Sequence, residues 1–433
     1  MLVFLLAAGG ALALLVRIGE DDPPSFGPVT VKPGEPDPFA YQEEGDGEFV
    51  ERATAGHSHV LYEKSPGGVR ATARRVERWR PEIEEQAEIT GVDPDLLEAI
   101  VFLESAGDPH ARASDDLEGA VGLTQILAET ATSLLGMRVD VQESERLTRR
   151  MQRRGPSKRL LERRRATDER FDPSDALQGA GRYLKIAEDR FGREDLAVVA
   201  YHMGIGNLET VLAAYGEDDP SWAQVYFDAT PRNHPRAQRL LAGFGDDSAT
   251  YLWRVYAARE IMRLYREDQG ELSRLARLQT ARASAEAVLH PPGETEVLET
   301  REQVEQAYRS GALRPFEGVR GMRVAAGQRS PYRGLRPEAY DLAVYLAAGV
   351  RDVSGTRASL TVTQTVRDVE SGGDSLHATG FAFDVRRDYA SGAQATAFQY
   401  MLDRLQSLNL IAWVRDPDVI HITASSEAGE LVQ

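Results

Sequence analysis

At 433 residues the chain is too long for one compact core, so two globular domains with connecting segments are expected. The apolar share of 42% gives each domain enough to bury, and the formal charge of -17 argues against nucleic acid as a partner, because phosphate binding needs a basic face. With no cysteine, a thiol nucleophile, a disulfide and a thiolate-ligated metal are excluded, which leaves His and carboxylates to hold any ion.

The apolar run at residues 1–16 ends at Arg17. It is shorter than the roughly 20 residues a membrane span needs. Standing before a Pro- and acid-rich stretch, residues 1–17 read as an export signal or membrane anchor that places the rest of the chain outside the cytoplasm. Residues 18–69 read as an acidic, Pro-rich tether. From 70 to 268 apolar residues recur three and four apart, the pattern of an all-helical domain. Asp93-Pro94 is a helix start, and Leu96, Leu97, Ile100 and Val101 make the apolar stripe behind it. Between Arg146 and Arg165 the charge is strongly basic, with Glu162 the single acid, and the stretch reads as a solvated helical insertion or a docking patch for an anionic polymer or lipid headgroups. Residues 269–310, broken at His290-Pro291-Pro292-Gly293, read as an interdomain linker. Over 311–433 the texture changes: helices are expected at 337–350 and 395–408, and strands at 360–366, 381–385 and 419–423, a small α+β domain.

Chemistry first surfaces at Glu104, a carboxylate closing a strongly apolar helix. Burial there disfavours the charged form and raises the pKa, as a general acid working near neutral pH requires. Glu104-Ser105, Ser114, the block Gly119-Ala-Val-Gly-Leu-Thr-Gln-Ile126, then Gly179-Ala-Gly-Arg-Tyr-Leu184 and Ala200-Tyr-His-Met-Gly204 follow in order, with Asp247-Ser-Ala-Thr-Tyr251 last. The set resembles the goose-lysozyme-like lytic transglycosylases, with His202 and Met203 standing where that family has Asn and Ala. The resemblance implies an all-α lysozyme-like fold and a one-acid mechanism on peptidoglycan. On that resemblance Glu104 is expected to protonate the leaving sugar oxygen and then take the proton of the substrate's own C6 hydroxyl, giving a 1,6-anhydro-muramyl end. It also implies that Ser114, Gln125, Tyr201 and His202 hold the sugar, and that Gly119 and Gly122 let the chain pass close to it.

A second constellation reads Ser375-Leu-His-Ala-Thr-Gly-Phe-Ala-Phe-Asp384. On a strand, Ala382 and Asp384 share one face, with Phe381 and Phe383 on the other. His377, Asp384 and, on another strand, His421 offer three ligands with a fourth position open, the pattern of a catalytic zinc site. The phrase resembles the SxHxxGxAxD motif of the zinc D-alanyl-D-alanine carboxypeptidases, dipeptidases and related wall endopeptidases. That resemblance implies zinc as cofactor and wall stem peptides as substrate. It also implies Arg367 as oxyanion stabiliser and Asp418, three residues before His421 where the family has Glu, as general base. The alternative of a turn at Asp416-Pro417-Asp418 stays open.

The expectation is thus a multidomain envelope protein, an all-α lysozyme-like domain followed by a small α+β zinc-peptidase-like domain, acting on glycan and stem peptides. Two alternatives remain: a C-terminal domain that only binds wall peptide, and a phage- or conjugation-associated lysin.

Overall fold

The structure is a computed structural model describing residue 37 and residues 39–279, 285–374 and 376–429. The expected signal or anchor at 1–17 and the motif residue Ser375 lie outside the described residues. Among the described residues no single helix is long and apolar enough to cross a membrane. The described chain divides into two compact units: residues 60–226 with 236–276, and residues 37–59 with 227–235 and everything from 277 onward.

The first unit is helical. Its central helix, Pro94–Ser105, starts on Asp93, whose carboxylate accepts the Asp95 amide, and stops at Ala106 in the left-handed region (φ 52). Every residue from Leu96 to Leu103 is buried. At about 1.5–3 kcal/mol for each large apolar side chain, this one helix anchors the unit. It packs on Tyr251–Glu267, while Pro173–Phe191 packs on Arg80–Thr90 and on Glu194–Met203. Small residues permit one of these approaches: a Cβ on Gly181 would lie 2.4 Å from Thr90 Oγ1. The buried Glu98 is paired with Arg266 at 2.7 Å, so its charge is compensated within the unit.

The second unit is an α+β fold. Its strands are β1 (Arg314–Pro315), β2 (Met322–Val324), β3 (Gly334–Leu335), β4 (Leu360–Gln364), β5 (Ala382–Arg386), β6 (Ile411–Arg415) and β7 (Val419–Ala424). Five of them form one sheet in the order β2-β4-β5-β7-β6, with β2 parallel to β4 and the other pairs antiparallel. Helices Pro337–Ser354 and Gly392–Ser407 pack on each other, and strand residues Val362, Phe383, Val385 and Ile422 are fully buried. The β5–β7 register sets Asp384 directly opposite His421.

Two connecting segments differ from the sequence expectation. Within the tether expected at 18–69, Asp46–Lys64 is a 19-residue helix with Ala53 and Leu61 buried. Its polar composition hides an apolar side that tertiary contacts stabilise. Within the linker expected at 269–310, Gln269–Leu278, Glu286–Leu289 and Arg301–Ser310 are helical, the last with a Thr300/Gln303 capping box. The Pro-Pro-Gly break is real, but His290 before it is buried, its ring stacked 4.2 Å from Phe381 and its Nε2 2.6 Å from the Ala424 carbonyl.

Candidate functional site

Glu104 is the penultimate residue of the central helix of the first unit, held at its end by the apolar turns behind it. Its Oε1 accepts a 2.6 Å hydrogen bond from the Tyr251 hydroxyl, the residue that opens the helix Tyr251–Glu267. Burial pushes the carboxyl up to about 7, and the Tyr251 phenol, which favours the charged form, pulls part of the way back. Among the described residues no second carboxylate contributes to that shift. The His202 ring stacks on Tyr251 at 4.8 Å and sits 3.1 Å from Ser248 Oγ. Tyr201 packs edge-on against Tyr183 at 5.4 Å and donates its hydroxyl to the Thr124 carbonyl at 2.7 Å. Glu104 raises the pKa of both Tyr201 and Tyr251, after burial the largest influence on each, so the three side chains form one electrostatic cluster.

The loop carrying Ser114 and Gln125 is held by internal contacts. Gly122 has φ 82, and a Cβ there would lie 1.8 Å from the Arg170 carbonyl oxygen. A side chain at residue 122 is thus ruled out by close packing against residue 170. The Arg170 side chain is buried and donates to the carbonyls of Leu117 (2.7 Å), Gly119 (3.0 Å) and Ile126 (3.3 Å), while Asp168 neutralises it at 2.9 Å. Three backbone carbonyls of the loop are thus tied to one guanidinium. Gln125 is left-handed (φ 51) and donates its amide to the Gly122 carbonyl at 2.8 Å, whereas Ser114 is exposed with its hydroxyl 3.2 Å from the Asp116 carbonyl. Nothing in the motif pointed to Arg170, which sits just past the basic stretch. That stretch forms the helices Val141–Arg154 and Lys158–Thr167, and Arg164 within it is buried, its guanidinium 3.7 Å over the Phe171 ring.

Residues 81–222 match the transglycosylase SLT domain family. The match spans Glu104, Ser114, Gln125, Tyr201 and His202 and stops before Tyr251. Endo-type membrane-bound lytic murein transglycosylase A of Salmonella paratyphi B is 26% identical over 214 residues, covering 46% of this chain and 90% of that protein. The proteins of the same description from Salmonella enteritidis and Salmonella typhimurium are similar to the same extent, 26% over 214 residues. The likeness is to the SLT domain, and the second unit lies outside residues 81–222.

Beyond the SLT-like region, the second unit gathers the second constellation at the centre of its sheet. His377 opens a short 3-10 turn, His377–Thr379, that ends at the left-handed Gly380 (φ 82). Its Nδ1 lies 3.0 Å from the Thr365 carbonyl, which fixes the proton there and turns Nε2 toward Asp384 Oδ1 at 3.3 Å. His421 Nδ1 lies 2.8 Å from the same oxygen. The other side of the His421 ring meets Glu286 Oε1 at 2.8 Å. Both imidazoles are buried and stand edge-to-face, 4.9 Å apart. Burial opposes charge on His421, but hydrogen bonds to Asp384 and Glu286 prevail and push it up to about 10. Burial likewise opposes the charge on Asp384, and its two histidines hold it well below the usual carboxylate range.

The two imidazole nitrogens lie 3.3 and 2.8 Å from Asp384 Oδ1, near the roughly 3.3 Å that bonds of about 2.0–2.1 Å set between donor atoms around a tetrahedral ion. Asp374 adds a candidate absent from the sequence reading: its carboxylate and the two imidazoles bring ligand atoms within 4.8 Å of one another. Asp374 Oδ1 also accepts the His377 amide at 2.8 Å. The two other residues named by the motif are peripheral by exposure. Arg367 is exposed, with its amide donating to the His377 carbonyl at 3.3 Å, and Asp418 is exposed in the turn before β7, its carbonyl accepting from Arg387 at 2.9 Å. Glu286, in the segment read as linker, carried no sequence signal.

Proposed function

We propose that this chain is a lytic transglycosylase of bacterial peptidoglycan that works in the cell envelope, with a zinc-binding second unit directed at the wall's stem peptides. The observation that carries the first part is Glu104: one half-buried acid pushed up to about 7, oriented by Tyr251, with no second carboxylate among the causes of that shift. Most glycosidases flank the bond with two carboxylates, so a single acid suits a reaction in which the substrate supplies its own nucleophile. Glu104 gives its proton to the glycosidic oxygen as the C1–O bond breaks. The carboxylate so formed then takes the proton of the muramyl C6 hydroxyl, whose oxygen closes on C1 to give the 1,6-anhydro end, and Glu104 is again protonated. Tyr251 steadies the carboxylate stage, because its hydrogen bond favours the charged form. Tyr201 and His202 flank the acid as the groups for the sugar, with Ser114 and Gln125 on the adjoining loop. The similarity to murein transglycosylases of Salmonella supports the substrate class. Incubating purified protein with sacculi and weighing the products tests this: anhydro-muramyl ends are expected, and reducing muramic ends as the main product would mean a water-using lysozyme.

For the second unit, His377, Asp384 and His421 would hold zinc, with Asp374 beside them. Bound there, the metal would supply Lewis acidity toward a peptide carbonyl. Asp418 is the proposed general base and Arg367 the oxyanion group, both by likeness of spacing. A second reading, a domain that binds wall peptide without cutting it, draws on the exposed position of Asp418. Regular strand alternation puts residues three apart on opposite faces, so Asp418 reaches the His421 side only through a bend at the start of β7. Mass spectrometry of stem peptides digested with the zinc-loaded protein separates the two.

A further inference from the structure

The zinc reading gives no task to Glu286, a buried carboxylate of the second unit. Glu286 opens the short helix Glu286–Leu289, is only 4% exposed, and points its Oε1 at His421 Nε2 (2.8 Å) and at the Thr423 hydroxyl (3.0 Å). His421 and Thr423 are two apart on β7 and so share a face, which lets one carboxylate engage both. The helix is pinned independently of this contact. Four residues on, the buried His290 donates to the Ala424 carbonyl on the same strand and stacks on Phe381. The carboxylate is thus delivered to the outer nitrogen of the imidazole whose inner nitrogen, Nδ1, faces Asp384 at 2.8 Å.

We infer that Glu286 is the positioning residue of the metal site: it holds the Nε2–H of His421 and so commits Nδ1 to the ion. The inference rests on the zinc reading of His377, Asp384 and His421. A histidine ligand needs its second nitrogen engaged, because that bond fixes the tautomer and the ring plane and makes the ligating nitrogen more basic. His377 meets the need with the Thr365 carbonyl, and His421 meets it with a carboxylate, the stronger partner. The segment read from sequence as linker therefore completes the site. A peptidase-like unit begun at residue 311 would lack one of its supports.

The test titrates zinc alone into the full chain against a competing chelator, comparing wild type, His377→Ala, Glu286→Gln and Glu286→Ala. Wild type is expected to bind one zinc and His377→Ala to lose it. Both Glu286 variants should bind about 10–100-fold more weakly, with Ala worse than Gln because Gln still accepts the ring proton. Nitrogen NMR of the zinc-loaded wild type should show His421 metallated at Nδ1 and protonated at Nε2, and Glu286→Ala should lose the sharp Nε2–H signal. A purely structural carboxylate would shift the unfolding midpoint but leave ring protonation and relative zinc affinity alone. Unchanged affinity in both Glu286 variants, or zinc on Nε2 in wild type, overturns the inference by itself. Zinc held equally by wild type and His377→Ala, or by neither, overturns the zinc reading and the inference with it.

Discussion

At Glu104 one environment sets the pH response of the proposed reaction. In that reaction the first proton transfer needs the acid form, so glycan cleavage should decline as pH rises through about 7. Glu104→Gln keeps size and hydrogen bonding but cannot titrate, and it should lower turnover by about 10²–10⁴-fold with the fold retained. Release of anhydro ends measures this, and a variant within tenfold of wild type would exclude Glu104 as the acid. The same carboxyl binds its proton more tightly folded than unfolded. Its contribution to stability is therefore present below the ordinary carboxylate range and lost as pH rises through about 7. Relative to Glu104→Gln, wild type should lose stability to urea over that interval, and a difference that ignores pH would contradict the raised pKa. Tyr251→Phe removes the bond that favours the charged form, so the alkaline limb of the rate profile should move to higher pH while turnover falls. A limb that stays put would show that the phenol does not tune the acid.

One scale up, the loop between the central helix and residue 128 depends on residues far along the chain. Gly122→Ala would drive a methyl into the backbone at Arg170 while holding a positive φ, and is expected to cost more than about 2 kcal/mol of stability. Arg170→Met leaves Asp168 unpaired and three carbonyls without their donor, for a loss of about 3–5 kcal/mol. Chemical unfolding reads both. Glycan cleavage should fall with them, because the loop carries Gln125. If Arg170→Met unfolds like wild type, the clamp is not what orders the loop. The spacing of Gly119 and Gly122 marked the block in the sequence, yet the partner that makes Gly122 obligatory lies 48 residues away and belongs to no motif. The strand of Asp384, expected at 381–385 from its local composition, is β5 (Ala382–Arg386), one residue further on.

For the molecule as a whole, the two proposed sites lie in different units, so their effects should separate by mutation. His377→Ala is expected to remove zinc while glycan cleavage stays within about twofold of wild type. Asp418→Ala should abolish stem-peptide cleavage with zinc retained, and Asp418→Glu should keep or raise it. An Asp418→Ala variant as active as wild type would end its role as base, and a wild type inactive on every wall peptide would favour the binding reading. The sequence by itself determined the helical and α+β halves, and it singled out Glu104 and three metal-ligand candidates as residues to test. Those features rest on local periodicity and on short ordered motifs, which need no knowledge of distant contacts. Only the tertiary structure decided that Tyr251 orients Glu104, that Arg170 ties the loop, that residues 46–64 are a helix and that Glu286 faces His421. Each of these pairs side chain to side chain, or side chain to backbone, across long stretches of chain. Such a partner is chosen by packing in three dimensions and leaves no regular spacing behind.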